Sequence, residues 1–89
     1  MISRTTERFR KAFEALPPEV QQRARRAYRQ WLRNPFHPSL GFKPIHVRRP
    51  VYAVRIGIHW RALGVRRGEL VVWFWIGSHA EYDGIVSRL

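Results

Sequence analysis

The chain has 89 residues, with 17 Lys+Arg against 6 Asp+Glu and no cysteine; this fits one small domain over 1–89 and excludes a disulfide framework or a thiolate metal site. Its 45% hydrophobic content, with four Trp, three Tyr and five Phe, supplies a core without staples, and a formal charge of +11 calls for a polyanion: nucleic acid, an anionic membrane surface or an acidic protein. The longest apolar run, Leu70 to Ile76, is too short to cross a bilayer and Arg4, Arg8, Arg10 and Lys11 crowd the start, so neither membrane helix nor signal peptide is expected, and the reducing cytoplasm is the expected setting.

Residues 1 to 33 read as two helices. Phe9, Ala12, Phe13 and Leu16 recur at helical spacing, Thr5 or Thr6 can cap the start, and Glu7 suits the first turn. Pro17 ends this helix and Pro18 opens the next, where its missing N–H costs nothing. Val20, Ala24, Ala27, Tyr28, Trp31 and Leu32 then form one apolar stripe, opposite Gln22, Arg25, Arg26, Arg29 and Arg33. The pair is expected to form an antiparallel hairpin.

Asn34-Pro35-Phe36-His37-Pro38 stops the second helix. From Phe42 the period changes to that of strands: Phe42 to Val47, Val51 to Ile56, Trp60 to Val65 and Leu70 to Ile76, the later ones separated by short glycine-bearing loops that imply an antiparallel meander. Leu70 to Ile76 is apolar throughout and is expected to be central, with both faces covered. His79 to Leu89 reads as a short C-terminal helix or tail. The fold class is α+β: an N-terminal helical hairpin packed on a twisted three- to four-stranded antiparallel sheet.

No P-loop, glycine-rich dinucleotide turn, zinc motif or nucleophilic triad is present, and six acidic residues supply a metal site or a carboxylate pair poorly. Chemistry without a cofactor is therefore the catalysis to consider. RNA offers it, because its own 2′-hydroxyl can attack the neighbouring phosphate if one group takes the proton, cations stabilise the extra charge and an acid protonates the departing 5′-oxygen. Of the 17 basic residues only Lys11 and Lys43 are lysine, and the planar guanidinium of arginine suits bidentate phosphate contacts.

If the turn after Ile56 is the three residues Gly57 to His59, Arg55 comes opposite Arg61 on one face, where like charges are costly unless an anion lies between them. An even loop would separate them, and either arginine could instead pair with Glu69, Glu81 or a carbonyl. His79 emerges after Gly77-Ser78 on a backbone anchored by the apolar strand, and imidazole is the side chain type suited to both taking and giving a proton near neutral pH. Its bland alternative is a helix-capping histidine. Tyr82 could stack on a base, share a proton transfer, or simply pack the last helix. Lys43 sits on a strand that Pro44 confines to an edge, and Arg48-Arg49-Pro50 is a basic loop that contacts a nucleic-acid backbone or only solvent. His37, beside two prolines, reads as structural.

Leu16-Pro17, the basic second helix, Asn34-Pro35 through Leu40, Lys43, Tyr52-Ala53-Val54-Arg55-Ile56, Trp60-Arg61-Ala62-Leu63, and Val72 to Gly77 with Ser78-His79 and Tyr82 together resemble the RelE/ParE superfamily of toxins from type II toxin–antitoxin systems. The resemblance runs over nearly the whole chain and implies a toxin held inactive by an acidic antitoxin. RelE-like members cut mRNA, usually on the ribosome, whereas ParE-like members inhibit DNA gyrase without that activity. The RNase pattern would place Arg61, His79 and Tyr82 in the catalytic roles, with Lys43, Arg48, Arg49 and Arg55 binding nucleic acid and no metal or cofactor. Histidine stands where arginine is common, and the lysine-rich loop is reduced to Lys43, Arg48 and Arg49. The readings are thus a metal-independent mRNA endoribonuclease, a gyrase inhibitor, or an RNA-binding or ribosome-binding module.

Overall fold

Thr6 fixes where the first helix starts: its side chain accepts a hydrogen bond from Phe9 N (3.1 Å), while its own N–H donates to the Trp73 carbonyl in the sheet (3.0 Å). The computed structural model describes residues 1–89. It runs β1 (Ile2–Thr5), α1 (Glu7–Glu14), α2 (Pro18–Arg33), a 3-10 turn (Pro38–Leu40), β2 (Lys43–Pro44), β3 (Val51–Ile56), β4 (Trp60–Arg67), β5 (Leu70–Ser78) and α3 (His79–Ser87). Pro18 opens α2 as its sequence requires. Gln21 braces the helix junction, its Nε2 donating to the carbonyls of Phe13, Glu14 and Leu16 at 3.2, 3.2 and 3.1 Å, groups that a helix end leaves without partners.

The α+β class holds, and the sheet has one strand more than the meander alone. Its order is β1-β5-β4-β3-β2, with β1 parallel to β5 and every other pair antiparallel. The first strand gives almost no hydrophobic signal: Ile2 is its single large apolar residue, and it is 61% exposed. The strand expected over Phe42 to Val47 shrinks to Lys43–Pro44. Pro44 brings no N–H, Phe42 turns into the core, and the chain beyond becomes a loop in which His46 Nδ1 accepts from Arg48 N and Arg49 N (3.0 and 2.9 Å).

Two cores form, one on each face of the sheet. Under α1 and α2 lie Trp31, Phe42, Val54, Ile56, Ala62, Val71, Trp73 and Ile76; on the other face Val51, Ala53 and Leu63 meet Phe74, Trp75, Tyr82, Ile85 and Leu89, which is how α3 docks. The uninterrupted apolar run of β5 conceals a bulge. Leu63 pairs with Trp75 but Gly64 with Trp73, leaving Phe74 as the extra residue, so Trp73 and Ile76 face α2 while Phe74 and Trp75 face α3. A side chain at Gly64 would put its Cβ 2.7 Å from Val71 Cγ1 and 2.8 Å from Trp73 Cε3. Gly64→Ala is therefore expected to destabilise the fold by about 1–3 kcal/mol through overpacking, read as a lower midpoint in chemical denaturation at unchanged slope.

Between α1, α2 and the sheet lies an apolar pocket of about 280 Å³, lined among others by Phe9, Phe13, Tyr28, Trp31 and Trp73. No helix is long and apolar enough to cross a membrane.

Candidate functional site

Three segments meet at one corner of the sheet: the β3–β4 turn, the end of β5 and the start of α3. Ser78 caps α3 with a reciprocal pair, its hydroxyl accepting from Glu81 N (3.2 Å) and the Glu81 carboxylate accepting from Ser78 N (3.3 Å). His79, the first helical residue, donates its backbone N–H to the His59 carbonyl at 2.7 Å, which ties the helix start to the turn. The side chain on this backbone has little freedom to move away from the corner.

The turn is the three residues Gly57 to His59, and Arg55 does pair with Arg61. Arg61 Nη1 donates to the carbonyls of Gly57, Ile58 and Trp60 at 3.3, 3.2 and 2.7 Å, so one limb of the guanidinium holds the turn while Nη2 and Nε make no hydrogen bond. The His79 and Tyr82 rings stand edge to face with centroids 5.9 Å apart. His79 Nε2 lies 3.3 Å from Asp83 Oδ1 one turn along α3, which leaves Nδ1 facing no protein partner. The His79 side chain is 47% exposed, accessible to a polymer.

Tyr82 feels opposing influences. Burial pushes its phenol above the ordinary 10.0, Arg61 pulls it down, Asp83 pushes it up, and the net shift is upward. At neutral pH it is a neutral hydroxyl that can donate a hydrogen bond. In the unfolded chain the phenol ionises near 10.0, so above that pH the folded state binds more protons and stability falls as pH rises toward the folded value. Tyr82→Phe removes this contribution, and its unfolding free energy is expected to decline less steeply than wild type in alkaline titration.

The remaining candidate residues lie elsewhere. Arg55 shares the ladder position but not the corner: because the edge strand β2 begins only at Lys43, opposite Ala53, Gly41 comes beside Arg55, with Arg55 Nε 3.0 Å from where a Gly41 Cβ would be, and Arg55 lines a groove with α2. Lys43 is exposed on the edge strand opposite Ala53. Arg48 and Arg49 line a separate cleft with Arg66 and Pro50, in the loop whose His46 faces the Leu89 carbonyl (Nε2 to O, 3.1 Å), at the far end of α3 from His79. His37 accepts from Ser39 N and opens the 3-10 turn.

A family model described as a ParE-like toxin domain matches residues 18–84. The chain belongs to this family. Among solved structures, the ParE-like domain is similar to the RelB–RelE antitoxin–toxin complex of Methanococcus jannaschii at 13% identity, with 92% of this chain and 96% of that one covered and a TM-score of 0.73. It is also similar to the RelBE2 toxin–antitoxin complex of Mycobacterium tuberculosis (21% identity, 88% and 96% covered, TM-score 0.70). The isolated RelE toxin of E. coli matches at 15% identity over 99% and 98% of the two chains, with a TM-score of 0.65. No curated protein matches the chain in sequence. The fold is thus that of RelE/ParE superfamily toxins of toxin–antitoxin systems.

One residue of the toxin's corner escapes a reading of single residue types. Asp83 is exposed and lacks any motif, yet it stands four residues after His79, the spacing that stacks two side chains on one helix face. That spacing is open to view wherever His79 to Leu89 is read as a helix.

Proposed function

We propose that this toxin domain is a metal-independent endoribonuclease that cuts mRNA on the ribosome. The observation that carries the reading is the meeting of Arg61, His79 and Tyr82 at the start of α3, with Asp83 on the far side of the imidazole. In the reaction, a 2′-hydroxyl gives its proton to a base as its oxygen bonds to phosphorus, and the bond to the 5′-oxygen breaks as that oxygen takes up a proton. A 2′,3′-cyclic phosphate and a 5′-hydroxyl result. His79 Nδ1 handles one of these protons, with Asp83 fixing the ring through Nε2. Arg61 turns its uncommitted Nη2 and Nε toward the phosphate and stabilises the added charge, in a position already set by the β3–β4 turn. Tyr82 donates from its neutral phenol or stacks on the adjoining base. Lys43, Arg48 and Arg49 contact the RNA backbone outside the corner.

The test is purified toxin with ribosomes and a defined mRNA, with RNA ends mapped by primer extension. Discrete new 5′ ends are expected from wild type and should vanish with His79→Ala; a folded His79→Ala and a folded Arg61→Ala that both cut at wild-type rates would remove the assignment.

The ParE-like description of the matching family favours a second reading, a gyrase inhibitor without catalysis. It is selected if expression in cells produces gyrase-dependent DNA breaks while transcripts stay intact. Under either reading the partner is an acidic antitoxin, supported by the charge of +11 and by the similar toxins solved with antitoxins. Co-purification with the product of an adjacent acidic reading frame tests it.

A further inference from the structure

The second helix carries a feature that the corner chemistry does not use. Arg23, Arg26, Arg29 and Arg33 project from α2 into one groove, and Arg55 reaches it from the sheet. No carboxylate lines this groove, and no arginine in the protein is ion-paired: the acidic side chains form only the Lys11–Glu7 and His79–Asp83 contacts. Five guanidinium groups gathered without a counter-charge repel one another, a cost that a bound polyanion removes.

We infer that this groove holds the phosphate backbone of the RNA chain that flanks the cutting corner. Three features decide for RNA. From Arg23 to Arg33 the helix rises about 15 Å, a track for successive phosphates and not a pocket for a single one. Apart from Ala27 and Leu40 the lining is polar, so an acidic helix would find little apolar surface to anchor on, whereas Gln30 and Ser39 supply the neutral hydrogen-bonding groups that a 2′-hydroxyl can use. The groove also reaches the turn that Arg61 holds. Gly57 is among its lining residues, and the Gly57 carbonyl is one of those that Arg61 Nη1 grips. A strand leaving Arg61 need only pass over the tip of this turn, where Ile58 is 78% exposed, to enter the arginine track. The inference rests on the proposed function for the polymer, RNA, and for the corner at which it is cut; the binding of RNA to the groove is tested apart from cleavage.

The test uses the full chain carrying His79→Ala, so that binding is read without cleavage, and a single-stranded RNA 12-mer followed by fluorescence anisotropy over a range of salt. Adding Arg26→Ala and Arg33→Ala is expected to weaken binding roughly 5–10-fold and to lower the salt slope by about 1.4, the value for two lost single-strand phosphate contacts. The comparison pair is Arg4→Ala with Arg8→Ala, which removes the same charge from exposed positions outside the groove. An equal loss in both pairs means that only net charge matters and overturns the groove. So does the groove pair binding like its parent. If poly-glutamate or duplex DNA of the same length binds as tightly as RNA and with the same dependence on Arg26 and Arg33, the RNA assignment falls. Cleavage is scored separately with wild type: a groove-dependent RNA affinity in a toxin that cuts nothing retires the nuclease and keeps the groove, and the reverse pattern does the opposite.

Discussion

Arg61→Ala is expected to lower the rate of ribosomal mRNA cleavage by about 10²–10³-fold, the loss typical when one preorganised donor to a developing oxyanion is removed. The effect should appear in single-turnover rates more than in RNA affinity, because the guanidinium's contribution grows as the phosphate gains charge. The same variant loses three contacts to the β3–β4 turn. A thermal melt therefore accompanies the rate, and Arg61→Lys separates the roles: it restores a charge but not a planar fork able to grip turn and phosphate together. Asp83 is a positioning residue in this scheme. Asp83→Asn keeps an amide oxygen that can accept a hydrogen bond beside His79 Nε2, so it should retain more of the cleavage rate than Asp83→Ala, which leaves the imidazole unheld. If Asp83 mattered only for packing, the two substitutions would lower the rate alike.

Trp31→Ala is the second large effect, and it concerns stability. Trp31 is 1% exposed, stands edge to face against both Phe42 and Trp73, and lies over the buried face of α2. Its truncation is expected to cost about 3–5 kcal/mol, a large share of the roughly 5–13 kcal/mol typical of a domain this size, because the existing, mostly apolar pocket beside it would enlarge. Chemical denaturation should show the chain largely unfolded or near its midpoint at 37 °C. Trp31→Phe is expected to cost less: the ring contacts survive in part, and an indole Nε1–H with no protein acceptor is removed along with the lost volume.

Much of this was legible in the residue pattern, and the exceptions have physical causes. The proline pair gave the boundary between α1 and α2 because Pro18 costs nothing at the head of a helix and Pro17 cannot continue one. The residue pattern left the register of Arg55 and Arg61 to the length of the turn, and the three residues Gly57 to His59 set the two opposite each other. The direction of the Arg55 side chain could not follow from that register, since it depends on β2 beginning only at Lys43 and leaving Gly41 alongside Arg55, an event at long range. Phe74 could not be identified as a bulge either: in a strand apolar at every position, no polar residue marks a change of face. β1 was invisible for the opposite reason, its side chains being mostly exposed and its pairing being entirely with residues 70–73.

That last pairing has a bearing on how the chain is made. Of the five strands β1 is made first, and its only hydrogen-bonded neighbour, β5, is made last. Closing so long a loop is slow, and it cannot begin until β5 has been made. The corner that bears Arg61, His79 and Tyr82 depends on the same late strand, since Arg61 pairs with Gly77, so it waits for the same closure.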